Sequence, residues 1–396
     1  MSGVRTKRRA ERDERRSAAR HGLMAAAASA VVAVGTATGL VSAIGGAEDD
    51  RDTARPEVSS SLLEVPLPAR PSPTRSTAVP SSPAASPTAP AKRAPRPAPR
   101  PTRRTEVSTV GSRLYLDPRS QVIDWVRANR DDPRRPLIEA RIAAQPTAVW
   151  FTSADPGAIT GQVRSVTSAA AAAGRVPVLV PYAIPDRDCG GASQGGAPNL
   201  AAYDDWIRAF AAGLGGKPVI VVLEPDSIAQ ANCLSAAERA ARFASLGRAG
   251  RTLKAANPRA KVYFDAGHSG WNPAGEQAAL LRAAGATTAS DGIFTNVSNF
   301  HRTADEVRYA RRVLAALGGP GHLGAVVDTS RNGNGAPAAG DWCDPGGRAI
   351  GTGPTTATGE ARIDAYLWVK LPGESDGCKG EPGTFTPDYA YELASG

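Results

Sequence analysis

From residue 147 to the C-terminus, seven short apolar runs alternate with alanine- and arginine-rich stretches of helical spacing. The runs fall at 147–151, 176–183, 219–223, 261–265, 293–297, 323–328 and 365–369. One of them, Val219-Ile-Val-Val-Leu223, is wholly aliphatic and mostly β-branched, as suits a strand buried on both faces of a parallel sheet. The stretches between them, at 158–173, 200–214, 235–256, 273–284 and 304–317, are long enough for the crossover helices that parallel neighbours require. Strand–helix alternation over this length predicts an α/β fold with a parallel sheet.

The placement of polar residues separates a barrel from an open sheet. They follow nearly every run: Asp188, Asp226, Asp265, Asn296 with Asn299, Asp328 with Arg331, and Glu374 with Asp376. An open sheet concentrates its chemistry at one switch point, whereas a barrel gathers it from many strand ends at one rim. A TIM-like parallel β/α barrel is expected, closed irregularly because seven strands are seen and not eight. The sharpest rim feature is Glu224-Pro225-Asp226, which follows the run at 219–223 and carries two carboxylates into a loop. Burial there raises a carboxyl pKa toward what a general acid needs.

The formal charge of +9 is unevenly spread: residues 1–105 hold 18 Lys/Arg against 9 Asp/Glu, and the remainder holds 29 of each. The globular part is neutral, so it lacks the basic stripe of a nucleic-acid-binding domain. Residues 1–50 read as a basic segment followed by a signal peptide or membrane anchor, basic at 5–20, apolar at 22–46 and acidic at 48–50. The apolar part is long enough to serve as a membrane tether, and its flanking charges place the bulk of the chain outside. Residues 51–106, rich in Pro, Ser, Thr and Ala, read as a disordered linker. Residues 107–396 then form the folded domain of a secreted or surface-anchored protein. The four cysteines, Cys189, Cys233, Cys343 and Cys378, include no C-x-x-C pair, so zinc has little support and two disulfides are expected. Pairing within each half of the domain is the simplest of the three connectivities.

Seven segments, in order, resemble those of glycoside hydrolase family 6, the inverting cellulases. Val180-Pro-Tyr-Ala-Ile-Pro-Asp-Arg-Asp-Cys-Gly190 and Val221-Val-Leu-Glu-Pro-Asp-Ser-Ile228 are similar to its two signatures. Tyr263-Phe-Asp-Ala-Gly-His-Ser-Gly-Trp271, Thr295-Asn-Val-Ser-Asn-Phe300, Asp328-Thr-Ser-Arg-Asn-Gly333, Gly340-Asp-Trp-Cys343 and Leu367-Trp-Val-Lys-Leu-Pro-Gly-Glu-Ser-Asp-Gly377 follow. The resemblance covers residues 107–396. It implies a distorted seven-stranded β/α barrel, β-1,4-glucan as substrate, two disulfides, and no metal or other cofactor. A monomer is expected.

Within that resemblance Asp226 is the general acid, although an Asp before an alanine-rich helix is also a good N-cap. Asp188 modulates the acid and belongs to the water network, with Arg187 beside it lowering carboxylate pKa values. Asp376 is the candidate base, acting through water. Inversion needs acid and base roughly 6.5–9.5 Å apart. Ser193 positions the attacking water, in a loop where Gln194 replaces the family's second small residue. Tyr182 resembles the residue that distorts the sugar. Lys370 and Glu374 bind sugar hydroxyls by charge-assisted bonds, and Asp265 and Asn296 are grouped with them as substrate contacts. Trp150, Trp271 and Trp342 fall near strand ends, where flat rings suit the apolar faces of pyranoses. His268 reads either as a ligand or proton carrier or as a structural histidine. The loops 190–199 and 377–386 are short, which favours an open cleft and internal cleavage over the tunnel of a cellobiohydrolase. A non-catalytic glycan-binding protein would have lost Asp226 or Asp376, and neither is lost.

Overall fold

The computed structural model describes residues 114–338 and 341–396. The proposed export segment, the tether at 22–46 and the linker at 51–106 lie outside the described residues. Seven parallel strands form one sheet in sequence order: β1 (Val149–Phe151), β2 (Val178–Pro181), β3 (Val219–Leu223), β4 (Ala260–Asp265), β5 (Gly292–Thr295), β6 (Gly324–Asp328) and β7 (Ile363–Leu367). The helices between them are α3 (Pro156–Ala172), α4 (Leu200–Ala212), α5 (Ala236–Ala256), α6 (Ala274–Ala283), α7 (Ala286–Ala289) and α8 (Thr303–Leu317). Two more, α1 (Gln121–Ala128) and α2 (Arg135–Ile138), precede β1, and α9 (Pro387–Ser395) ends the chain.

Local chemistry sets the helix starts. Asp155 accepts from the Gly157 N–H ahead of α3, Asn199 accepts from Ala202 ahead of α4, and Ser235 with Glu238 forms a reciprocal capping box on α5. Residues on β2, β3 and β4 alternate between two cores. Val178, Val180, Ile220, Val222 and Tyr263 point into the barrel. Leu179, Val221, Leu223, Val262 and Phe264 pack outward against the helices. Trp206 and Phe210 of α4 are fully buried there, and Phe210 meets Phe151 edge-on at 5.3 Å. Each such side chain contributes about 1.5–3 kcal/mol by leaving water.

The seam between β7 and β1 is where an eighth strand is missing. A single backbone bond crosses it, Ala148 N–H to Trp368 O at 2.9 Å, joined by the Trp150 indole N–H to Val369 O at 2.8 Å. Residues of α1, α2 and α9 pack with Trp368 and Leu371 in a third core beside it. These three helices went unseen in the sequence pattern. The run expected at 365–369 forms strand over Ile363–Leu367 instead. Beyond Leu367 the N–H groups of Val369 and Lys370 turn to the Asp328 carboxylate, which replaces the ladder as acceptor.

Candidate active site

A cleft of about 1280 Å³ runs over the C-terminal ends of the strands. Asp188, Asp226 and Asp376 line it, as do Tyr182, Ser193, Lys370 and Glu374 and all three of Trp150, Trp271 and Trp342. Several non-glycine residues lining the cleft or buried beneath it have left-handed backbones: Asp188, Cys189, Glu224, Asp226, Asn296, Ser298 and Asp344, with φ from 45° to 68°. Such conformations cost of order 1–3 kcal/mol each and gather where function demands a particular aim.

Asp226 leaves the end of β3 on a loop anchored from below. Glu224, fully buried, accepts from Ala183 N–H at 2.9 Å and Ile184 N–H at 3.0 Å, tying the end of β3 to that of β2. Burial pushes Glu224 up to about 7 against the pull of those bonds. Asp265, also buried, accepts from Ile228, Ala229 and Gly267 N–H groups. Both of its oxygens are spent on backbone, and the cleft does not reach it. The expectation that Asp265 contacts substrate is therefore corrected: it clamps the turn that follows Asp226. Burial, then the charges of Asp265 and Asp188, hold the Asp226 carboxyl well above its usual range.

Asp188 sits opposite in a loop that folds back onto β2. Gly196 permits this at φ +107°, since a side chain there would strike the Ile184 carbonyl. The Asp188 carboxylate accepts from both the N–H and the hydroxyl of Ser193, at 2.8 and 2.9 Å, and the Ser193 hydroxyl meets the Tyr182 hydroxyl at 2.9 Å. This makes a polar chain from the cleft wall to Asp188. Arg187 makes no salt bridge with Asp188, but its charge lowers the pKa of nearby Glu224. Its guanidinium donates to the carbonyls of Ser193, Thr152 and Tyr182 and lies over the Tyr182 ring. Buried Arg242 of α5 holds the same loop by the carbonyls of Pro185 and Asp186.

Asp376 has the contrasting environment. One oxygen pairs with fully buried Arg331 at 2.8 Å and the other with Lys370 at 3.3 Å. Lys370 also reaches the Ser375 carbonyl at 3.3 Å and stands 4.0 Å from Glu374. Burial raises the Glu374 pKa, opposed by Lys370 and Arg331. Gln121 of α1 donates to Glu374 at 3.1 Å and to the Gly383 carbonyl at 2.8 Å. Asn296, expected to touch substrate, is instead fully buried; its amide bonds His301 backbone and the Asp328 carbonyl. Two residues went unread in the sequence: Gln121 and Asp344, the latter fully buried beneath Asp376.

The tryptophans are held differently. Trp150 meets Tyr182 edge-on at 5.3 Å. Trp271 stacks on His268 at 4.9 Å, and His268 stacks on His301 at 4.2 Å. Burial, aided by His301, drives the His268 pKa down to about 3, so it is a neutral imidazole near pH 7, its Nδ1 accepting from the Gly270 N–H. Trp342 is 59% exposed. The disulfides are Cys189–Cys233 and Cys343–Cys378, the within-half pairing, and each braces a loop bearing a rim aspartate. Among the described residues no group of His, Cys, Asp and Glu is arranged to hold a metal.

Carboxylates at the ends of successive strands, aromatic faces beside them and a long groove suit hydrolysis of a polysaccharide. The family model for glycosyl hydrolases family 6 matches residues 109–392. The chain belongs to this family. Family 6 relatives include endoglucanase A of Thermobispora bispora, 53% identical over 72% of this chain and 62% of its own length. Endoglucanase 1 of Streptomyces sp. strain KSM-9 is 55% identical over 69% and 75%. The chain thus spans less than two thirds of the first relative's length. The endoglucanase Cel6 of Mycobacterium tuberculosis, solved with methyl-cellobiosyl-4-deoxy-4-thio-β-D-cellobioside, is 41% identical. It covers 72% of this chain and 98% of its own, with a TM-score of 0.68. Cellobiohydrolases of the family are more distant, at 32–33% identity for those of Aspergillus. The chain has the curled seven-stranded fold of family 6.

Proposed function

We propose that this glycoside hydrolase is an endo-β-1,4-glucanase that inverts the anomeric carbon. The observation that carries the reading is the contrast between two rim carboxyls. Asp226 is desolvated, faces other carboxylates and among the described residues has no cation beside it, so its protonated form is favoured and it gives that proton to the departing glycosidic oxygen. Asp376 is held between two cations and takes a proton from the attacking water, directly or through a chain of waters. Water attacks the anomeric carbon from the face opposite the leaving group as that bond breaks. Asp188, Ser193 and Tyr182 orient the water and crowd the sugar, while Lys370 and Glu374 grip hydroxyls. The tryptophans bear the glucan chain. Export through residues 1–50 and a spacer at 51–106 would set the domain at 107–396 outside the cell, as the family's substrate requires.

One observation favours a cellobiohydrolase as the second reading. The rims meet at one point, where a Cβ placed on Gly377 would stand 3.5 Å from that of Ala192. Carboxymethyl cellulose decides between them. Internal cleavage makes viscosity fall steeply while few reducing ends appear. Early cellobiose release at nearly constant viscosity would establish cleavage from chain ends and overturn the endo reading.

A further inference from the structure

Asp344 is a buried carboxylate that the steps above do not use. It follows Cys343 on the long loop after β6 and has a left-handed backbone, φ 45°. One oxygen accepts from the Asp376 N–H at 2.7 Å. The other accepts from the Ser375 hydroxyl at 2.6 Å and from the N–H groups of Cys378 and Lys379 at 3.0 and 2.9 Å. The Asp344 N–H donates in return to an Asp376 carboxylate oxygen at 3.2 Å. The two residues are therefore bonded reciprocally, side chain to backbone in both directions. Cys343–Cys378 closes the same contact covalently, and Arg331 stands 3.9 Å from Asp344. Burial alone would raise the Asp344 pKa, but the four hydrogen bonds hold it below the usual range.

We propose that Asp344 is a positioning residue for hydrolysis, fixing where the Asp376 carboxylate stands at the cleft. The proposal rests on Asp376 as proton acceptor. A loop wrapped around a single carboxylate loses its shape when that carboxylate is removed, and the ion pairs with Arg331 and Lys370 hold only the Asp376 head group, leaving the backbone that carries it unfixed. Misplacing a catalytic group by about 1 Å costs about 10²-fold.

The test uses the full chain with Asp344→Ala and Asp344→Asn, alone and combined with Asp376→Ala. Turnover is read on soluble β-glucan and binding on a thio-linked cello-oligosaccharide. Asp344→Ala should lower kcat by about 10²-fold while the oligosaccharide Kd stays within about threefold. Asp344→Asn, which keeps one oxygen for the Asp376 N–H, should recover part of the loss. In the Asp376→Ala background, either Asp344 substitution should cost no further kcat. Should Asp344→Ala prove unfolded, the Asn variant's kcat loss, its unchanged Kd and its silence in that background decide the matter. Undiminished kcat in the single variants, or the same fold loss in both backgrounds, would overturn the proposal. If Asp376→Ala alone turns over like wild type, the reading of Asp376 itself has failed, and that variant reveals it directly.

Discussion

The two sides of the cleft solve opposite electrostatic problems. On the side built from the ends of β2, β3 and β4, three carboxyls, Glu224, Asp226 and Asp265, stand at the ends of two adjacent strands, and burial raises all three. Glu224 and Asp265 accept from backbone N–H groups, and among the described residues Asp226 makes no salt bridge. On the side built from β6 and β7, Asp376 and Asp344 share Arg331, and Lys370 completes the set. The first arrangement favours the protonated form of its carboxyls, and in the second the Asp344 carboxyl is held below its usual range. In the proposed roles it is the surroundings that would tell acid from base, since the side chains are chemically the same.

The largest expected effect breaks the first side. Asp226→Asn should lower turnover of unactivated β-glucans by about 10²–10⁴-fold, with much less loss on substrates bearing activated aryl leaving groups. The same substitution removes a desolvated carboxyl from beside Asp265 and Asp188, so the urea midpoint should hold or rise. Wild-type-like turnover would end Asp226's role as acid. The counterpart on the other side is Arg331→Met. Removing one member of a buried ion pair strands the other charge and costs about 3–5 kcal/mol. Urea unfolding should show that loss, and activity should fall with it. If Arg331→Met is as stable as wild type, the two sides do not differ as described.

Much of this contrast could be read from residue order, and the rest could not, for a physical reason. All seven strands stand out because runs such as Val219-Ile-Val-Val-Leu223 are buried on both faces and must be apolar throughout. Asp188, Asp226 and Asp376 were visible because they follow such runs and sit in motifs that resemble the family's. Orientation was not visible. Asp265 and Asn296 occupy strand ends as fully as Asp226 does, yet point into backbone N–H and carbonyl groups because the turns around them are left-handed or tightly closed. Arg187 is Asp188's neighbour in sequence, but its guanidinium is held by three backbone carbonyls. Asp344, in a Gly- and Pro-rich loop, reads like any solvated turn aspartate; only the return of residues 375–379 in space makes it a hub. Helices α1, α2 and α9 depend on a shared core with Trp368 for burial, so none declares itself locally.

Titration sharpens the comparison with a smaller effect. Glu224 has an ordinary value of 4.5 and is pushed up to about 7 in the folded protein. Between those values the unfolded chain has released this proton and the folded chain retains it. The unfolded state then binds fewer protons, so stability falls as pH rises and the loss is complete above about 7. At 1.36 kcal/mol per unit the full loss is about 3 kcal/mol. Asp226 and Asp265 contribute in the same direction, so the variant Glu224→Gln isolates one group. Its unfolding free energy should approach or pass that of wild type between pH 4.5 and 7, since only wild type loses this term. Asp344 carries the opposite sign: its lowered pKa adds stability that disappears as the pH falls through the folded value. A difference between wild type and Glu224→Gln that is flat across this range would show that Glu224 titrates normally.

The smallest effect concerns the aromatic faces. Trp150 and Trp271 are bound into the structure, the first by its indole N–H and the Tyr182 edge, the second by the stack on His268. Replacing either disturbs packing and sugar binding together. Trp342 is exposed at the rim of the cleft, on the loop that leads into Cys343 and Asp344, so its truncation separates the two. A single exposed tryptophan means little by itself; this one borders the groove a glucan would follow. Ring stacking is worth about 0.5–1.5 kcal/mol. Trp342→Ala should therefore raise KM for long soluble glucans roughly 2- to 12-fold at constant kcat. Hydrolysis of a short aryl cellobioside and thermal stability should stay unchanged. An unaltered KM on the polymer would remove Trp342 from the binding surface. A fall in kcat on both substrates would mean that the loop passes its disturbance on to Asp344 and Asp376, tying this rim to the charged side of the cleft.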